Sequence, residues 1–184
     1  MYIYFSFSRV LENMKNTNLI MLNFCGILIG ILTYVFLSQP YQDYIYSIGP
    51  LTSSVRPYSG YYMIGNYFTK SGAEFMMALA NLIVAILAGL IILISLYSLL
   101  VNFGVIKLPN TLLKTSIISI TLSAALIIFT SISLFCIVGT SDGQSFSGNG
   151  LKVGWSVIVN FIVSFLSLII SMHTFLVLKN KKIN

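Results

Sequence analysis

The chain has 184 residues, 57% hydrophobic and only 8% charged, against about 25% charged in an ordinary soluble domain. A soluble fold of this length leaves much of its surface in water, so the composition excludes an ordinary soluble module. The net charge of +6 does not imply nucleic acid, because the basic residues gather at the ends of apolar runs rather than in one stripe.

Four charge-free apolar runs predict an all-α membrane protein. It is a bundle of four transmembrane helices in one membrane domain over 18–178, with spans at about 18–38, 75–103, 115–140 and 153–178. A run of about 20 residues at ~1.5 Å rise matches a hydrocarbon core ~30 Å thick. Arg9 and Lys15, Lys107 and Lys114, and Lys179, Lys181 and Lys182 of the tail 179–184 fall on one side. Arg56, Lys70 and Lys152 fall on the other, offset by Asp43, Glu74 and Asp142. The positive-inside rule therefore predicts both termini in the cytoplasm of a plasma-membrane protein, with loops 39–74 and 141–152 outside.

Residues 1–17 form the N-terminal cytoplasmic segment. Met14-Lys15-Asn16 reads as a start, which would leave 1–13 untranslated; the alternative is an amphipathic segment resting Tyr2, Tyr4, Phe5 and Phe7 at the interface. The first run exceeds the ~7–15 residues of a signal-peptide core, and Leu37-Ser38-Gln39-Pro40 offers no small-x-small cleavage site, so the span is retained. Cys25 and Cys136 differ in depth by roughly 15–25 Å, beyond the ~7 Å reach of a disulfide. In the first two spans, Gly26 and Gly30, and Ala85 and Gly89, are small-xxx-small pairs expected to pack helices, either within the bundle or at a homodimer face.

The first outer loop holds Tyr41, Tyr44, Tyr46, Tyr58, Tyr61, Tyr62 and Tyr67, seven of the eleven tyrosines. Pro40, Pro50 and Pro57 break any long helix there, and Ser59-Gly60 is the expected turn of a short hairpin. Tyrosine offers contact area and a hydroxyl at low entropic cost, so the segment is either a recognition surface or a lid on the helix ends. Ser71 and Glu74 form an expected capping box, and Asn110 and Thr111 an expected cap for the third span.

Spans three and four carry polar residues at helical spacing: Ser116, Ser119, Ser123, Thr130 and Ser133 on one at steps of 3, 4, 7 and 3, and Ser156, Asn160, Ser164, Ser167, Ser171 and Thr174 on the other at steps of 4, 4, 3, 4 and 3. Each set lies on one helix face, turned from lipid. Asn81 and Asn160 count to one depth and are expected to hydrogen-bond, either as interhelical glue or in a polar pocket opening outward. The second outer loop, rich in Gly and Ser, is expected to be flexible. Within it Gly143-Gln144-Ser145-Phe146-Ser147 approaches a nucleophile elbow but ends in serine.

Catalysis finds no footing. His173, the one histidine, is expected ~20–30 Å from the outer acids, whereas a base must come within ~3 Å of its partner. No His, Cys or carboxylate cluster suggests a metal, and no cofactor is implied. Apart from His173 the spans contain no ionisable residue, and they contain no proline, which weighs against an ion-coupled carrier.

Four spans, inside termini and a larger first outer loop resemble the claudin-like tetraspans in topology, although the loop has neither the tryptophans nor the paired cysteines of that family. The expected function is a non-catalytic accessory or scaffold subunit in the lipid bilayer, binding other membrane proteins or a second copy through its helices and Tyr-rich loop. Two alternatives are a pore or carrier lined by the Ser/Asn faces, and an immunity protein against a secreted toxin or bacteriocin. Abundant Ile, Asn, Lys and Tyr, with no Asn-x-Ser/Thr site, suit a bacterial source.

Overall fold

The computed structural model describes the backbone of residues 2–49, 52–106, 111–141 and 150–183, and the side chains of 17–41, 43, 57–106, 111–138 and 153–180. The apolar runs form four long helices, α1 (Tyr2–Ser38), α3 (Ala73–Asn102), α4 (Thr111–Ser141) and α5 (Trp155–Ile183), with a short α2 (Gly60–Asn66) between the first two. All four long helices are long and apolar enough to cross a membrane. Contacts of α1 with α3, α3 with α4, α4 with α5 and α5 with α1 close them into a ring.

The burial pattern is the reverse of a water-soluble bundle. Leu93 is 61% exposed and Ile169 60%, whereas Asn81, Ser123, Asn160 and Ser164 are all at 0%. On α1 the exposed stripe is Met21, Phe24, Leu28, Ile31 and Val35, at helical spacing; Asn23 and Thr33 are buried. Such continuous apolar exposure is unstable in water and natural in lipid, where small and polar residues supply the helix contacts. The chain is a membrane protein.

The fold is not wholly α-helical. Three strands, β1 (Pro40–Gly49), β2 (Thr52–Ser59) and β3 (Gly150–Val153), form an antiparallel sheet in the order β2-β1-β3. The prolines that exclude helix here bracket a segment rich in Tyr and Ile, residues that favour a pleated surface. The sheet ties the two inter-helix connections on this side together, with Lys152 directly across from Asp43 in the register.

Two local expectations are corrected. The hairpin does not turn at Ser59-Gly60: the strands reverse between the paired residues Gly49 and Thr52, while Ser59 caps α2, its Oγ accepting from the Tyr62 N–H at 3.1 Å. The Ser71–Glu74 capping box does not form either. The chain enters α3 through Gly72 at φ 66°, and no side chain caps the helix. That left-handed conformation favours glycine and moves the cap one residue past Ser71. Glu74 remains in the first turn, where its charge suits the helix dipole. Asn110, the segment 142–149 with its Gly143–Ser147 motif, and the Tyr44 and Tyr46 side chains lie outside the described residues.

Candidate functional site

The bundle is sealed at one end and hollow at the other. The sealed end carries the sheet. β1 follows α1 almost directly, and its register shifts between Pro40 and Gln42, leaving Tyr41 without a cross-strand partner. A bulge of this kind re-aims a side chain. Tyr41 is buried to 1% exposure, and the Asn160 Nδ2 of α5 donates to its hydroxyl. The backbone beside it is clamped as well: Gly154 N–H donates to the Tyr41 carbonyl at 2.7 Å, and Ser156 Oγ donates to the Pro40 carbonyl. A Cβ on Gly154 would collide with the Pro40 oxygen and lie 2.7 Å from the Tyr41 carbonyl carbon, so only glycine permits this approach.

A second plug comes from α2. Met63 is fully buried, its Sδ accepting from Asn81 Nδ2 at 3.5 Å, and Asn81 Oδ1 accepts from Ser133 Oγ of α4 at 2.8 Å. The two asparagines therefore do not bond each other as expected. Each is taken by a side chain inserted from the cap, Met63 for Asn81 and Tyr41 for Asn160, and the second Asn160 amide atom, Oδ1, is buried with no partner among the described residues.

Beside these plugs Tyr58, Tyr62 and Tyr67 cluster. Tyr58 stacks on Tyr62 at 4.8 Å and Tyr62 meets Tyr67 edge-on at 6.2 Å. Tyr61 and Tyr62 are 41% and 43% exposed. Burial, then the nearby Glu74 carboxylate, then Tyr58 and Tyr62 push the Tyr67 hydroxyl up to about 12. Burial likewise raises Tyr41, against the opposing pull of its Asn160 bond, and raises Tyr61.

Along the middle of the bundle the polar faces of α4 and α5 meet. Ser123 Oγ lies 2.8 Å from Ser167 Oγ and 3.1 Å from Ser171 Oγ. Thr130 Oγ1 donates to Ser164 Oγ at 3.3 Å, and Ser164 to the Asn160 carbonyl at 2.8 Å. Ser116 instead turns back to the Leu113 carbonyl of its own helix. The small residues lie between α1 and α3. A Cβ on Gly26 would meet the Ser95 hydroxyl, and one on Gly30 the Ile92 side chain and, at 3.0 Å, the Ala88 carbonyl. Ala85 offers its carbonyl to the Tyr34 hydroxyl at 2.7 Å, beside Gly89. Glycine and alanine at these positions let the backbones approach.

At the end where α1 begins and α5 finishes, a cavity of about 30 Å³ opens among all four long helices. Ser116, Ser119, Ser167 and Ser171 line it together with Asn23, Gly26, Ser95, Ser98, Asn102, Thr115 and Thr174. The polar pocket is thus not at the Asn81/Asn160 level and not on the sheet side: Tyr41 and Met63 fill that end. Neither Asn23 nor Asn102 was among the residues singled out from the sequence. Their signal, a carboxamide at each end-turn of an apolar run, is ordinarily that of an interfacial residue. Met63 and Tyr34 were missed because nothing local marks a methionine or a phenol as an interhelical contact.

Among the described residues no three His, Cys, Asp or Glu side chains group as metal ligands. Cys25 and Cys136 are not joined in a disulfide. No protein-family model matches this chain, and no curated protein matches it.

Proposed function

We infer that this is a non-catalytic integral membrane protein of a bacterial plasma membrane, with cytoplasmic termini, serving as an accessory or scaffold subunit that presents the sheet and α2 as an outer docking platform. One observation carries the reading: the exposed aromatics stand on an element bolted into the bundle. Tyr61 and Tyr62 belong to α2, whose Met63 accepts from Asn81, itself held by Ser133, and the adjoining sheet is held by Asn160, Ser156 and Gly154. Preorganised aromatic side chains give contact area without the entropy of ordering a loop. The basic residues favour the side assignment. Against the pore alternative stand the hydroxyl pairs of α4 and α5, which bond one another, and the two plugs at the sheet end.

A photo-crosslinking amino acid at Tyr62, set beside one at the lipid-facing Leu93, tests this in growing cells. The expected result is a discrete protein adduct at position 62 that Tyr61→Ala weakens. Lipid adducts alone at both positions, with a monomer in mild detergent, overturn it.

A further inference from the structure

We propose that the cavity at the terminal end of the bundle is a hydrated vestibule, a binding site for a small cluster of water molecules held within the membrane-spanning region. Its volume is about 30 Å³, and at roughly 10–15 Å³ per water of the same measure it holds two or three. Its lining on α3 includes residues from Asn102, the last of that helix, back to Ile91, three turns earlier, so it reaches in from the helix end.

Apolar cavities of this size stay empty and polar ones fill. Ten of the eighteen lining residues carry a hydroxyl or carboxamide, and no charged side chain contributes to it. Two of its lining residues are asparagines. Asn23 is only 7% exposed, and Asn102 Nδ2 is buried with no hydrogen-bond partner among the described residues. A buried amide left without a partner costs ~1–3 kcal/mol, which bridging water relieves while satisfying two to four groups at once. The hydroxyls of Ser95, Ser119 and Ser167 stand around the same space. The site ends blindly: beyond it Ser123 pairs with Ser167 and Ser171, Thr130 and Ser164 bond each other and backbone carbonyls, and Tyr41 and Met63 close the opposite end. This inference is independent of the docking platform.

Silver ions, close to water in size, read the hydration of engineered thiols in the full-length protein in vesicles. In a Cys25→Ala/Cys136→Ala background, Ser95→Cys and Ser119→Cys should react within about tenfold of the exposed control Lys114→Cys. Thr130→Cys and Ser133→Cys, in the sealed half, should react at least about a hundredfold more slowly, since they wait on local opening. Cavity thiols as slow as Thr130→Cys would mean a dry cavity and overturn the proposal. Should a cysteine variant fail to fold, magnetisation transfer between water and the Asn23 amide protons in the unaltered protein decides the matter: a cross-peak supports the site, and its absence overturns it.

Discussion

Tyr41, a residue of the sheet, is hydrogen-bonded by Asn160, a residue of the fourth long helix, at a point where both side chains are buried. This contact makes the cap part of the bundle. A two- or three-stranded sheet of this size is marginal by itself; here its first strand is anchored by a side chain driven between helices and by backbone bonds from Gly154 and Ser156.

Tyr41→Phe keeps the ring and removes the hydroxyl, leaving the whole Asn160 carboxamide unpaired. A loss of about 1–3 kcal/mol is expected, read from unfolding in mixed micelles. Tyr41→Ala also opens a cavity and should lose about 3–5 kcal/mol, in the range of other buried aromatics. If the bond matters, Asn160→Ala and Tyr41→Phe will be less than additive in a double-mutant cycle.

Two glycine substitutions should have opposite signs. Gly154→Ala drives a methyl into the Pro40 carbonyl and should destabilise by about 1–3 kcal/mol, exposing the β1 amides to hydrogen exchange. Gly65→Ala, where a Cβ meets nothing within 4 Å, lies in α2 and should stabilise by about 0.4–1 kcal/mol.

Between α1 and α3, Gly30→Val places branched carbon on the Ile92 side chain and the Ala88 carbonyl. A loss of about 1–3 kcal/mol is expected, together with a larger separation between spin labels on the two helices. Gly89→Ala presses only on the Tyr34 hydroxyl, 2.9 Å from the new carbon, and should do less.

Alkali should weaken the cap before the bundle. The Tyr67 hydroxyl is raised from 10.0 to about 12, so above pH 10.0 the unfolded chain releases a proton that the folded one keeps. The unfolded state then binds fewer protons, and stability falls with rising pH. The contribution is intact below pH 10.0 and lost progressively up to about 12. Melting temperatures stepped across that window should drop more steeply in the native chain than in Tyr67→Phe, and tyrosinate absorbance should show Tyr67 titrating late.

The polar faces of α4 and α5 were readable as faces because helical spacing is local: Ser164, Ser167 and Ser171 recur at three and four residues, and Thr130 stands seven residues, two turns, past Ser123. Depth was readable too, by counting along each helix. Azimuth was not, so Asn81 and Asn160 share a level without meeting. Nor could counting foresee that side chains from β1 and α2 would arrive between them. Among the five loop tyrosines whose side chains are described, only the bulge beside Pro40 singles out Tyr41 for burial, and a bulge exists only once a partner strand defines the register.

Hydropathy and charge alone determined the four spans, because transfer of a helix into lipid depends on composition over about 20 residues and on little else. Which end is sealed and which is hollow was decided by tertiary structure. The β1–β3 pairing joins segments more than a hundred residues apart, and the fit of Tyr41, Met63 and the glycine contacts depends on the distances and orientations of packed helices. Those quantities arise only when the whole chain closes on itself, and no local pattern encodes them.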